Sequence, residues 1–279
     1  MRSTSPVHLF LVLVVLLSWP ILIYGFGWFD TREDILSRYL FSCAGMLMVA
    51  FSAFLTRIFV ERSGFRDAGW NKGNFRWYIA LFSFCVLLWL APAFVAWCFN
   101  ELQWNWPLTR GEQTVAVLSL AGFSLLAGFG EEFGWRGYLL PRWLAEQRYV
   151  RVVLVAIGLV WGIWHCAIAI GPLLRSALSG TISWYSEIIP FLGNSLQMIA
   201  TSIALSFIFG AIWLKTESIF LCAFLHGYWI VFRDVASLLV SYPLIFRSIT
   251  LFAVLVAWVI SFQWLKKHED SQVFKSKKG

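Results

Sequence analysis

Two adjacent carboxylates, Glu131 and Glu132, and one guanidinium, Arg136, sit at the end of an otherwise apolar run, in the stretch GFGEEFGWRGYLLPR from Gly128 to Arg142. Two of the four histidines, His165 in VWGIWHCAI and His226 in LCAFLHGYW, also lie inside apolar runs. An ionisable group at the centre of a bilayer costs about 2.5–3.5 kcal/mol on insertion scales, so such residues need partners or a function. Successive helical residues are about 100° apart, so Glu131 and Glu132 point to different faces. Glu132 and Arg136, at i and i+4, share a face and can pair, which leaves Glu131 as the unneutralised carboxylate. Alone, the glutamates would equally suit solvated charges at a membrane boundary, and a single buried histidine would suit a packing role. Two histidines and a free carboxylate from three different segments form a set suited to moving protons and polarising a water or a carbonyl.

The elements that must position this set are membrane helices. The chain has 279 residues, 59% hydrophobic and 13% charged, against roughly 25% charged in a soluble domain. Mean hydropathy is +0.73. An all-α, polytopic membrane bundle follows, forming one integral-membrane domain over residues 1–279. At about 20 apolar residues per crossing, there are about eight spans: Val7 to Trp28, Ile35 to Phe59, Trp77 to Cys98, Thr114 to Phe129, Val152 to Leu174, Ile188 to Leu214, Ser218 to Phe232 and Leu244 to Leu265. The apolar run after Arg2 is too long for a signal-peptide core and has no small-x-small cleavage site, so it reads as a retained span.

The net charge of +7 does not indicate nucleic-acid binding, because the basic residues sit between spans and in the tail. Eight spans put 16 Lys and Arg on one side, with both termini, and 6 on the other, which makes the termini cytoplasmic. The acidic stretch then lies near the cytoplasmic end of the fourth span. Residues 266–279 form a basic cytoplasmic tail that suits contact with anionic lipid, with His268 a surface residue. Trp28, Trp70, Trp77, Trp104, Trp106, Trp143 and Trp264 fall near span ends, as interfacial anchors do. The five cysteines are odd in number, scattered and in apolar segments, so neither a disulfide framework nor a CxxC metal site is expected. Glu187 and Asp234 read as interface charges without a catalytic role. Gly128, Gly130, Gly134, Gly137, Gly162 and Gly227 flank the polar positions and allow close helix approach.

With these residues in place the chain resembles the CPBP intramembrane proteases, also called Abi or CAAX-amino-protease-like, which include the type II CAAX prenyl endopeptidase. EEFGWR matches the family's EExxxR motif. WGIWH approximates its FxxxH motif with Trp161 in place of Phe, and His226 matches the histidine of its HxxxN or HxxxD motif. The matched core spans residues 114–232. The resemblance implies helices around a conical cavity open to membrane and cytosol, in the bacterial inner (plasma) membrane. It also implies hydrolysis of a peptide bond, near the membrane face, in a prenylated or hydrophobic-tailed protein or peptide. Carried across, Glu131 is the general base, His165 holds the attacking water, and His226 stabilises the oxyanion or protonates the leaving amine. Glu132 and Arg136 are supporting residues.

Ile230 stands where the family carries Asn or Asp, and loss of one such donor costs roughly two to three orders of magnitude in other hydrolases. Asn194 and Arg233 are the candidate substitute donors. Glu131, His165 and His226 are also a ligand set that zinc accepts, although there is no HExxH; the family implication covers both a metalloprotease and a metal-free glutamic protease. Two other functions use the same residues. A proton-coupled transporter or channel would need an internal repeat or paired broken helices, neither of which is visible, and a non-enzymatic immunity or scaffold protein would be consistent with Ile230.

Overall fold

The computed structural model describes residues 5–29, 35–104, 110–146, 149–241 and 244–276. Arg32, Trp106, Arg148 and residues 277–279 lie outside it, as do the side chains of 268–276. Nine α-helices lie among the described residues: α1 Pro6–Trp28, α2 Ile35–Leu55, α3 Phe75–Cys98, α4 Arg110–Gly134, α5 Leu140–Glu146, α6 Val150–Leu178, α7 Ile189–Thr216, α8 Ile219–Leu239 and α9 Leu244–Ser276. Six helical segments among the described residues are long and apolar enough to cross a membrane, in α1, α2, α3, α6, α7 and α9. The protein is an integral membrane helical bundle.

Helix α4 does not stop at the acidic stretch. It runs through Glu131 and Glu132 to Gly134, makes one wide π-helical turn over Trp135–Leu139, and continues as α5. Hydropathy falls at the glutamates, but helix propensity does not, and both side chains are buried inside the bundle. Helix α8 likewise outruns the expected Ser218–Phe232. It starts where Ser218 accepts a capping hydrogen bond from the Leu221 amide and ends at Leu239. Helix α9 extends past Leu265 through most of the basic tail to Ser276, because Lys, Glu and Gln without Gly or Pro continue a helix readily.

The connections gather at two ends. At the first, the Gly69 carbonyl accepts from the Ile219 amide, Asn71 donates to the Thr216 carbonyl, and Trp70 bridges to Ser218, so the α2–α3 and α7–α8 connections meet. Arg57, fully buried, donates to the carbonyls of Gly64 and Gly137 and pairs with Asp67 at 2.6 Å. Gly137 lies in the π turn, where the widened backbone leaves a carbonyl for this purpose. Arg142 reaches back to Glu61 and Asp67. The start of α1 lies at this end, with Phe10 against Tyr138 and Trp135, and so does the C-terminal part of α9, with Phe262 under Arg151 at the start of α6. At the second end, Gln103–Trp104 after α3 pairs antiparallel with Val240–Ser241 after α8, and Arg175 near the end of α6 donates to the Gly27 carbonyl of α1. The elements alternate between the two ends, with the start of α1 and the C-terminal part of α9 on the side of Arg57.

The core is deepest around α4 and α8. Every residue from Glu131 to Leu140 is buried. The two helices touch at Gly128, where an added Cβ would lie 2.8 Å from the Gly227 nitrogen and 3.2 Å from the Cβ of His226. On α6, a Cβ at Gly162 would lie 2.5 Å from Ile199 of α7. These contacts bring α4 to α8 and α6 to α7, the arrangement that draws the polar residues inward.

Candidate active site

Glu132 joins Arg136 and His226 through one carboxylate oxygen, while its Oε2 and the Nε and Nη2 of Arg136 are buried without a hydrogen-bond partner among the described residues. Its Oε1 accepts from Arg136 at 2.9 Å, one helical turn on, and sits 2.9 Å from Nδ1 of His226 on α8. Glu132 and Arg136 have no exposed surface, and the guanidinium is sandwiched against the rings of Trp161 and Phe209, at 4.5 and 4.7 Å. A guanidinium can stack on aromatic faces while donating in its plane, so Arg136 combines ring contacts with the hydrogen bond from Nη1 to Glu132. The expected pair with Glu132 is therefore present. The sequence does not show that the same carboxylate also orients His226.

Glu131 has no cation as a direct partner. Its Oε2 accepts from two indoles, Trp161 Nε1 at 2.5 Å and Trp135 Nε1 at 3.2 Å. Its Oε1 is buried with no hydrogen-bond partner among the described residues. Glu131 also acts electrostatically on His165 and on Arg233. Both tryptophans follow from helical spacing that sequence reading passed over: Trp135 is four residues after Glu131, and Trp161 four before His165. The Trp161 that replaces the family's phenylalanine thus adds a donor aimed at the glutamate.

His165 places Nδ1 2.9 Å from the Trp161 carbonyl. A carbonyl only accepts, so in the neutral ring Nδ1 carries the proton and Nε2 is left as the acceptor. The ring packs edge-on against Trp164, whose Nε1 donates to Ser18 of α1 at 2.6 Å, so α1 fixes this part of α6. Trp161 is the hub of the cluster, with ring centroids 5.6 Å from His165 and 5.6 Å from His226.

Both histidines line one cavity of about 460 Å³, together with Asn194, Arg233 and Ile230. Asn194 and Arg233, the candidate substitute donors, thus share the cavity with the histidines, and Ile230 presents an apolar wall there. Asp234 departs from the sequence expectation. It is 9% exposed, holds Arg233 at 2.6 Å, accepts from Tyr39, and faces an adjoining cavity of about 350 Å³. The neighbouring arginine and the tyrosine on α2 make it an interior residue. Glu187 is exposed and bonds to the Ser183 amide and the Ser186 hydroxyl, as an interface residue would.

No three His, Cys, Asp or Glu side chains among the described residues are grouped to hold a metal ion. All five cysteines are free.

A comparison with curated proteins finds no match. Residues 113–232 match the family described as type II CAAX prenyl endopeptidase Rce1-like. The matched segment runs from α4 to α8 and contains both glutamates, Arg136, Trp161 and both histidines, so the part of the chain that carries the polar core is similar to the Rce1-like, type II CAAX prenyl endopeptidase family.

Proposed function

We propose that the protein is an intramembrane endopeptidase that hydrolyses a peptide bond in a membrane-tethered, hydrophobic-tailed or prenylated substrate, with Glu131 as general base. The observation that carries this reading is the contrast between two neighbouring carboxylates. Each carboxylate keeps one buried oxygen without a hydrogen-bond partner among the described residues, but the other oxygen of Glu132 is paired with Arg136 and His226, whereas that of Glu131 is held by neutral indoles.

In this reading Glu131 Oε1 takes a proton from a water that His165 orients through Nε2. The water oxygen bonds to the scissile carbonyl carbon, and the carbonyl electrons move onto its oxygen. Arg233 and Asn194 supply positive charge and a donor in the cavity for that oxyanion, in place of the side chain that Ile230 lacks. His226 is oriented by Glu132 through Nδ1 and, acting as the imidazolium, gives its Nε2 proton to the departing amine as the C–N bond breaks, after which the proton held by Glu131 returns to Nε2 through water and restores both groups. The Glu132–His226 pair acts as a carboxylate acts on a catalytic imidazole elsewhere, fixing tautomer and direction. No step requires a metal. Lipid is the surrounding solvent, and the bacterial inner membrane, with both termini cytoplasmic, is the proposed location.

The test is cleavage of a membrane-tethered reporter peptide by purified protein in liposomes, comparing the parent with Glu131→Gln and His165→Ala. Loss of cleavage with retained folding in both variants supports the reading. Undiminished cleavage by Glu131→Gln would overturn it.

A further inference from the structure

Arg233 lines three adjoining cavities. One, of about 460 Å³, holds both histidines, and a second, of about 350 Å³, holds Tyr39 and Asp234. A third, of about 510 Å³, lies among α3, α7, α8 and α9 and has no histidine in its lining. The Arg233 side chain is 49% exposed, against 13% for that of Asp234, so packing does not decide which of these spaces the guanidinium enters. A long arginine side chain gives up much rotamer freedom when it is held in one place, and something must supply the hold.

The hold comes from its own neighbour. Arg233 Nε donates to Asp234 Oδ1 at 2.6 Å, and Nη2 donates to Oδ2 at 3.1 Å, a two-pronged pair. Adjacent residues of a helix point about 100° apart, so their side chains meet only when the longer one bends round to the shorter. The carboxylate, rather than the direction of α8, therefore places the guanidinium. Asp234 is the fixed point of this pair: it is short, buried, and accepts a hydrogen bond from Tyr39 on α2. The fork occupies Nε and Nη2 and leaves the Nη1 hydrogens for a ligand oxygen. The charge it holds in place interacts with both Glu131 and His165.

We propose that Asp234, anchored by Tyr39, is a positioning residue that keeps the Arg233 guanidinium at the histidine cavity. The oxyanion that Arg233 meets there rests on the proposed proteolytic reading, whereas the clamp itself does not. A guanidinium set in place before substrate arrives need not be ordered during the reaction, so the clamp acts on kcat more than on KM.

Two measurements on the purified full-length protein test this with Asp234→Asn and Tyr39→Phe. The first needs no substrate. Phenylglyoxal condenses with guanidinium nitrogens, and mass spectrometry gives its rate at Arg233. Modification should be severalfold faster in each variant than in the parent, and equal rates would overturn the proposal. The second is cleavage of the membrane-tethered reporter peptide. Asp234→Asn should lower kcat roughly 10- to 100-fold and Tyr39→Phe roughly 2- to 10-fold, with KM changed by less than about twofold. In an Arg233→Gln background neither substitution should lower kcat further, because a residue that acts through Arg233 then has nothing to position. Losses that add in that background would show a merely structural role and overturn the proposal, as would an unchanged kcat in both single variants of an active parent. If Asp234→Asn does not stay folded, Tyr39→Phe, which removes one hydroxyl, carries both measurements. Faster modification in the variants without reporter cleavage by the parent supports the clamp and removes the proteolytic reading.

Discussion

Trp161 donates its indole N–H to Glu131 across 2.5 Å, and its backbone carbonyl lies 2.9 Å from His165 Nδ1. One residue thus aligns the carboxylate with its side chain and the imidazole with its main chain. Trp161→Phe keeps the ring against Arg136 and Phe209 but removes the donor. A hydrogen bond to a charged group contributes about 1.5–3 kcal/mol, so kcat should fall roughly 10- to 100-fold while the thermal midpoint and KM change little. Steady-state kinetics in detergent check this, and an unchanged kcat would mean that the indole contributes packing alone.

The two glutamates should separate by stability. Glu131→Gln should abolish cleavage and leave the protein as heat-stable as the parent. Glu132→Gln removes the charge facing both Arg136 and His226 in a dry site, where breaking a buried pair costs about 3–5 kcal/mol. It should lower folded yield as well as activity, and combining it with Arg136→Leu should recover part of the yield but not the activity. A thermal-shift assay beside the cleavage assay reads both, and equal destabilisation by the two single substitutions would show that the glutamates act as a unit.

Ile230 and Arg233 should compensate for one another. Arg233→Gln removes the positive charge from the cavity and should lower kcat by roughly two to three orders of magnitude, as loss of an oxyanion donor does elsewhere. Ile230→Asn in that background restores a polar side chain one turn from His226 and should recover part of the rate. No recovery, with both proteins folded, would place the oxyanion away from this wall.

Treatment with a strong divalent-metal chelator followed by desalting should leave the cleavage rate unchanged, since no three His, Cys, Asp or Glu side chains among the described residues are grouped to hold a metal ion. Loss of activity that added zinc restores would show that the site rearranges to bind metal.

The network at the Arg57 end predicts an acid dependence. Burial alone would raise the Asp67 carboxyl, but the hydrogen bond and charge of Arg57, followed by Arg142, outweigh it and hold the group below its ordinary range. A depressed folded-state value contributes stability above the unfolded pKa, near 3.9, and that contribution is lost as pH falls through the folded value. The thermal midpoint of the parent should exceed that of Asp67→Asn by a constant margin from pH 6 to 8, and the margin should shrink below about pH 4. A margin independent of pH would mean that the carboxylate is not the source of the stability.

Much of this protein is legible in one dimension, because a bilayer constrains sequence strongly. Apolar length and the Lys and Arg distribution indicate membrane helices and their alternation, and i, i+4 spacing on α4 pairs Glu132 with Arg136 before any coordinates exist. Intramembrane polarity marks His165 and His226. Helix ends at the charged stretches were misplaced, since hydropathy drops at Glu131 and in the basic tail while the backbone goes on helical through Gly134 and Ser276.

Other features were decided only by packing between helices distant in sequence. Glu132 meets His226 across 94 positions, and Asp234 turns inward to Tyr39 of α2. Glu131 is embraced by an indole from α6 that reads in sequence as a conservative exchange for phenylalanine. The shared cavity also belongs to the tertiary structure: His165 of α6 and His226 of α8 come to line one space only because α6, α7 and α8 pack together, which no spacing within a single helix reveals.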